Sequence, residues 1–391
     1  MKKLQFKSFS KSALVLATIS VATLASCSKD EVSENMTQPT ANQAPAQQER
    51  GTGEYIIVTK DGNVESLLAE TGIEALNYGK GNNLAAIAKG FTAKLNATQL
   101  AALRNDSRID YIEEDRIVYP AMSDGISTTI KTTQQISWGV KKIGGAGNGV
   151  GKTAWIIDSG IDPNHSDLNV DKTRSKSFLA STQGADYKSY ADAFGHGTQV
   201  AGIIGAKNNG YGTVGVAAGA TLVSLRVMDA RGAALVSKIT AALNHVAYYG
   251  KAGDVVNLSI GFGASSTVDA AVQKVAAKGI FVAIASGNSN ADAKNYSPAR
   301  VNGTNIYTVS SMNNSNVFIS GANFGATTVD YAAPGTNIAT TAKGGGYVLF
   351  GGTSSAAPHM AGVLLVTGGK PRANGLVSGD KDGKPDPILS R

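Results

Sequence analysis

Residues 153–163, TAWIIDSGIDP, decide the fold. Ala154 to Ile157 is an unbroken apolar run, as a strand covered on both faces requires, and it ends on a carboxylate, Asp158. Four more runs of this kind follow: TLVSLRV (221–227), VVNLSI (255–260), FVAIAS (281–286) and IYTVSS (306–311). Between them lie HGTQVAGIIGAK (196–207), LVSKITAALNHVAYYG (235–250) and TVDAAVQKVAAKG (267–279). The second places Leu235, Ile239, Ala242, Leu243 and Val246 on one face at helical spacing. Apolar strands alternating with such helices predict an α/β fold: a mostly parallel sheet with helices on both faces. Ligands meet such sheets at the carboxyl ends of strands, so polar residues directly after the apolar runs are the first candidates for chemistry.

Three segments qualify. In DSGIDPNHSDL (158–168), Asp158 is a carboxylate at a strand end; it either caps a turn or needs a buried partner. In GHGTQVAGIIG (195–205), His196 sits between two glycines at the mouth of a helix, where it is either structural or reachable by a substrate. In GTSSAAPHMAG (352–362), small residues open a helix, which by itself means only close packing. The same run also puts Ser354 at a helix N-terminus, where free N–H groups point outward. Each segment alone leaves both readings open. Asp, His and Ser in this chain order, each at a Gly-rich strand-to-helix junction, answer one another.

With VNLSIG (256–261) and ASGNSN (285–290), these segments make the chain resemble the subtilisin-like serine proteases, in spacing the proteinase K-like branch, over residues 138–369. The resemblance implies that Ser354 is the nucleophile, His196 its base, and Asp158 the group that holds the imidazole. It implies that Asn288 donates to the oxyanion together with the Ser354 amide. Read alone, Asn288 is also ordinary turn chemistry. A peptide substrate would bind as an added strand, with Ser259 and Gly261 on one edge and Gly232, Ala233 and Ala234 on the other. Gly261, Ala285 and Gly287 would line the pocket before the scissile bond; none is acidic, so an apolar, tolerant preference is expected. The chain departs from the family at Phe262, where glycine is usual and where a ring would narrow the entrance. It departs again at Ser355, where methionine is common. His359, five residues into the Ser354 helix, is expected to be structural.

Residues 54–120 form a separate unit. EYIIVTK and GFTAKL read as strands, VESLLAETG as a helix closed by Gly72, and NATQLAALRND as a helix capped by Asn96 or Thr98. RIDYIEEDRIVYPA reads as one closing strand. GFTAKL followed by LRNDSRIDYIEED resembles the inhibitory propeptide of the same proteases, which implies a small α+β domain that covers the site. Cleavage is expected between Tyr119 and Ile136, in the polar linker 121–137, leaving 138–391 as the catalytic domain.

Residues 1–26 read as a secretory signal: basic start, apolar stretch from Ala13 to Ala25, small residues, then Cys27, the only cysteine. Leu24-Ala25-Ser26-Cys27 resembles a bacterial lipoprotein processing site, which implies lipidation of Cys27 and export to an outer membrane or cell surface; cleavage near an incidental cysteine is the other reading. Residues 27–53 are polar, without periodicity, and read as a flexible tether. One cysteine excludes an intrachain disulfide. The formal charge of +7 is scattered or lies in the signal segment, with no basic stripe, so no nucleic-acid partner is expected. A monomer acting on proteins or peptides, inhibited by its own propeptide and touching a membrane only through Cys27, is expected. No cofactor is required. The family admits structural calcium, but Asp380, Asp382 and Asp386 around Gly383 match a calcium loop poorly and read as a solvated turn. The rival function is a catalytically silent surface lipoprotein that uses the fold as a binding module.

Overall fold

The computed structural model describes residues 49–76, 89–120, 126–127 and 133–391. The signal segment, Cys27 and most of the tether lie outside the described residues.

The N-terminal unit is a three-stranded antiparallel sheet in the order β2-β1-β3, built from β1 (Glu54–Thr59), β2 (Gly90–Lys94) and β3 (Ile109–Glu114). Two helices accompany it, α1 (Val64–Thr71) and α2 (Ala97–Arg104). Gly72 ends α1 in the left-handed conformation, φ 62°, returning its N–H to Leu68 O. Asn96, not Thr98, caps α2, with Oδ1 accepting the Gln99 amide at 2.9 Å. Ile57, Leu67, Phe91 and Leu103 close a small core. The closing strand is not continuous as expected: it breaks after Glu114 and resumes as β4 (Ile117–Val118). The break is a change of partner. Asp115 N–H still donates to Glu54 O (2.8 Å), whereas Arg116 O accepts from Val236 of the large unit.

The large unit is a nine-stranded sheet. From one edge it runs β16 (Arg372–Leu376), β17 (Pro387–Ser390), β13 (Tyr331–Pro334), β12 (Ile306–Met312), β11 (Phe281–Ala285), β10 (Val255–Leu258), β6 (Thr153–Asp158), β8 (Thr221–Arg226) and β7 (Lys176–Ser177). Every neighbouring pair is parallel except β16–β17. All five strands read from the sequence are present. The alternation along them splits the core: Trp155 and Ile157 face α4 (Val236–Tyr249) and α5 (Ser266–Ala277), while Ala154 and Ile156 face α3 (His196–Gly205) and α6 (Thr353–Thr367). Helix α6 is apolar on all sides and fully buried along most of its length, which fits a central helix and not a surface one.

The tail corrects one expectation. Residues 372–390 form the β16–β17 edge, and Asp386 is 3% exposed, not solvated. Its carboxylate accepts the Ser310 hydroxyl at 2.6 Å, and burial pushes its pKa up to about 7. Among the described residues no group of three His, Cys, Asp or Glu side chains is placed to hold a metal ion.

Candidate active site

Three strand-to-helix junctions meet above the sheet. Asp158 is the last residue of β6 and is fully buried; its Oδ1 accepts the Ser159 amide at 2.6 Å. His196 is the first residue of α3, and its Nδ1 lies 2.9 Å from both Asp158 oxygens. This close approach needs glycine at 197, where a Cβ would fall 2.1 Å from Gly160 O. Burial alone would depress the His196 pKa. The charge and hydrogen bond of Asp158, with a further charge from Asp192, outweigh that and raise it, so the imidazolium is stabilised. With the ring held at Nδ1, Nε2 is left for another partner; this nitrogen is buried and has no hydrogen-bond partner among the described residues. The Phe350 ring meets the imidazole edge-on at 5.3 Å between centroids.

Ser354 is the second residue of α6, after Gly352 at φ 76°. Its hydroxyl donates to Ser259 O at 3.3 Å, and the Ser259 hydroxyl donates to Ser354 O at 3.0 Å. Asn257 of β10 in turn donates to the Ser259 hydroxyl at 2.9 Å. Ser259 therefore ties the serine to the sheet through its side chain, in addition to the edge role expected of it.

Asn288 is oriented by a residue the sequence reading passed over. Its Oδ1 accepts both the amide (3.0 Å) and the hydroxyl (2.9 Å) of Thr353. That fixes the carboxamide with Nδ2 at the opposite end. Thr353 Oγ1 also receives the Gly287 amide at 3.2 Å. Asn323, likewise missed, holds the same loop: it accepts from Ser289 and Ala291 and donates to Ser286 O at 2.9 Å. Thr353 stands inside GTSSAAPHMAG beside Ser354 and Asn323 in none of the quoted segments; tertiary contact identifies the role of both.

Around the pocket, a Cβ on Gly261 would sit 3.8 Å from the Gly287 backbone, so the two glycines face each other across a narrow slot. Gly287 is in the left-handed region, φ 106°, and a Cβ there would meet Asn323 at 2.4 Å. Of the far edge expected at Gly232, Ala233 and Ala234, it is Ala234 that pairs, opposite Val118. Gly232 and Ala233 are folded into a turn on Asp229, whose Oδ1 accepts the Ala233 amide at 3.0 Å, and the paired strand is β9 (Ala234–Leu235). Phe262 is 3% exposed, within the apolar cluster that also holds Val118 of the N-terminal unit. His359 is buried, bonded through Nδ1 to Ser355 O at 2.7 Å, and burial lowers its pKa to about 4, leaving a neutral scaffold ring.

The N-terminal unit sits on this cleft. β4 pairs antiparallel with β9, Val118 opposite Ala234, and Val118 is fully buried. On the far side, β5 (Ile126–Ser127) pairs with β15 (Gly346–Phe350), which itself pairs with β14 (Ile338–Ala342) and leads into Ser354.

Residues 151–370 match the Subtilase family model. The chain belongs to the subtilase family. It is 37% identical over 288 residues to alkaline serine exoprotease A of Vibrio alginolyticus, covering 71% of this chain and 51% of that one. It is 32% identical over 348 residues to Proteinase R of Parengyodontium album, covering 84% and 83%. The chain thus spans about half of the Vibrio relative and most of the other. A cold-adapted subtilisin-like serine proteinase superposes with a TM-score of 0.56 at 34% identity, covering 65% of this chain and 97% of that one. The epidermin leader peptide processing protease of Staphylococcus aureus, 22% identical, shares the fold with a TM-score of 0.67 over 82% and 88%. Glycines stand at the three junctions of this chain, and at Gly160, Gly197 and Gly352 a Cβ would fall within 3 Å of a neighbouring atom.

Proposed function

We propose that this subtilase is a serine endopeptidase made as an autoinhibited precursor. The observation that carries the reading is His196, held at Nδ1 by both oxygens of Asp158 and leaving a buried Nε2 without a hydrogen-bond partner among the described residues. Ser354 Oγ attacks the scissile carbonyl and gives its proton to Nε2; Asp158 stabilises the imidazolium; the negative oxygen takes N–H bonds from Asn288 and the Ser354 amide. The imidazolium then protonates the leaving amine, and water hydrolyses the acyl-enzyme by the reverse sequence. Strand-pairing edges on both sides of Ser354, at β9 and at β15, support cleavage within a chain rather than at its end. The slot between Gly261 and Gly287, with Ala285 behind it, supports a tolerant apolar preference before the scissile bond.

Residues 54–120 act as the inhibitor in this proposal. Val118 fills an apolar site, and Glu113 and Asp115 accept amides at the starts of α5 and α4. Scission is proposed between the two anchored strands, after Tyr119 and before Ile126; residues 121–125 lie outside the described residues. Export and lipidation at Cys27 remain part of the proposal on the sequence signal alone, and cutting the linker would free the catalytic domain from that anchor. Among the described residues no helix is long and apolar enough to cross a membrane.

The deciding experiment expresses the full chain beside Ser354→Ala. The parent shortens by the mass of the N-terminal unit and is labelled by a serine-directed phosphonate, while the variant stays full length and unlabelled. A parent that neither shortens nor labels supports the silent binding module instead.

A further inference from the structure

Asp192 has no place in the motifs that mark the site, yet it is 7% exposed and takes five hydrogen bonds. Its Oδ1 accepts the Ser159 hydroxyl (2.8 Å) and the amides of Phe194 (3.0 Å) and Gly195 (2.7 Å). Its Oδ2 accepts the Thr198 amide (2.9 Å) and hydroxyl (2.6 Å). These donors belong to two different parts of the site. Ser159 directly follows Asp158 on the β6 side, its amide bonded to the Asp158 carboxylate and its hydroxyl receiving the Gly197 amide at 2.9 Å. Gly195 and Thr198 flank His196 in the first turn of α3.

We propose that Asp192 is a positioning residue for the Asp158–His196 couple: it bolts the helix that carries the base to the strand that carries the orienting carboxylate, and adds a second negative charge behind the imidazole. The proposal deepens the protease reading and rests on it for the roles of Asp158 and His196.

A carboxylate suits the position better than any neutral group. Five donors converge, three on one oxygen and two on the other, so both ends must accept. An amide puts an NH2 against either the Thr198 amide or the Gly195 amide, both of them donors. A donor left without its acceptor at a buried helix start is costly, and the helix dipole adds to the preference for charge. The charged groups acting on His196 are Asp158 from β6 and Asp192 from the loop before α3. Phe350 from β15 presents a neutral ring. Removing one of the two carboxylates must therefore make the imidazolium less stable.

The test uses the full chain in a Ser354→Ala background, where no turnover is needed, and follows the His196 imidazole by NMR against pH. Asp192→Asn is expected to lower the His196 titration by about half a pH unit or more. Ser159→Ala, which cuts the link but keeps the charge, is expected to leave that titration in place. With Ser354 restored, both variants are expected to lose about tenfold in kcat with KM within about twofold, and only Asp192→Asn moves the acid limb of the pH profile downward. A folded Asp192→Asn protein whose His196 titrates as in the parent overturns the proposal. If Asp192→Asn does not fold, Ser159→Ala decides: a fall in kcat at constant KM upholds the positioning role, and unchanged kcat overturns it. Loss of all activity in the parent chain would refute the protease reading but leave the titration result to stand by itself.

Discussion

Glu113 of the N-terminal sheet accepts both the amide (3.2 Å) and the hydroxyl (3.0 Å) of Thr267, in the first turn of α5. The carboxylate thus caps a helix that belongs to the other unit, where the amide ends of the dipole favour negative charge. Replacing it by glutamine keeps the shape and removes the charge. Glu113→Gln is expected to weaken the hold of the N-terminal unit by ~0.3–1 kcal/mol, the range for a charge at a helix N-terminus. In the full chain this shortens the latent period before autoprocessing, read by gel and by release of a peptide substrate. An unchanged latent period would show that the cap contributes nothing to inhibition.

Asp115 makes the same contact with pH sensitivity. It is fully buried, its Oδ1 accepts the Ser237 amide at 2.9 Å at the start of α4, and burial pushes its pKa up to about 6 despite that bond. A carboxyl whose pKa is higher in the docked state than in the free unit binds a proton on docking. Docking is therefore favoured at pH 4–5 and loses this contribution as pH rises through about 6. The full effect, between pH below about 4 and above about 6, is on the order of 3 kcal/mol. Precursor carrying Ser354→Ala should show a melting temperature that declines from pH 5 to pH 8, and Asp115→Asn should flatten the decline. The opposite slope would reverse the assignment.

In the proposed mechanism Asn288 is the oxyanion donor, and Thr353, whose amide and hydroxyl both donate to Asn288 Oδ1, is its holder. A single side-chain oxyanion donor is worth about 10²–10³ in kcat in subtilisin, a member of this family, so that figure is carried over and not obtained from this geometry. Asn288→Ala is expected to fall in that range with little change in KM. Thr353→Val removes the hydroxyl that both fixes Asn288 Oδ1 and receives the Gly287 amide, while the Thr353 amide bond remains. A smaller loss, about tenfold, is expected, and it should vanish in the Asn288→Ala background because the holder then has nothing to hold. Additive losses in the double variant would separate the two residues.

How much of this was legible in the sequence follows from the range of each interaction. Ala154 to Ile157 and its sister runs announced a parallel sheet because strands buried on both faces must be apolar throughout. Gly195, Gly197 and Gly352 marked the junctions because only glycine fits there. Asn96 was readable as a cap because its bond spans three residues. Asp192, Thr353 and Asn323 were not, because acidic, hydroxyl and amide side chains are ordinary at helix starts and in loops, and the contacts that join two segments, Asp192 with Ser159, Thr353 with Asn288 and Asn323 with Ser286, span 33 to 65 residues. The break at Asp115 was hidden for a related reason: an apolar–polar alternation says that a strand continues, and not whose sheet it joins. The tail misled because alternating Asp, Lys and Gly is the composition of a solvated turn, and the burial of Asp386 depends on Ser310, across the edge of the sheet.

Ser355 supplies a test of chemistry beside the nucleophile. It is fully buried, and its hydroxyl donates to Gly352 O at 2.9 Å, closing the turn that presents Ser354. A methionine here would place an oxidisable thioether against the nucleophile, and its sulfoxide would be both larger and polar. The buried Met228, Met312 and Met360 are shielded by the core, so the native chain has no exposed thioether at this point. Ser355→Met is expected to lose most of its activity in dilute peroxide under conditions where the parent keeps most of its own. Crowding a fully packed site with the longer side chain should also cost about 1–3 kcal/mol, seen as a lower melting temperature before any oxidant is added. Activity is therefore compared with each protein's own untreated sample. Equal fractional losses in the two proteins would mean that peroxide attacks elsewhere and that Ser355 confers no protection.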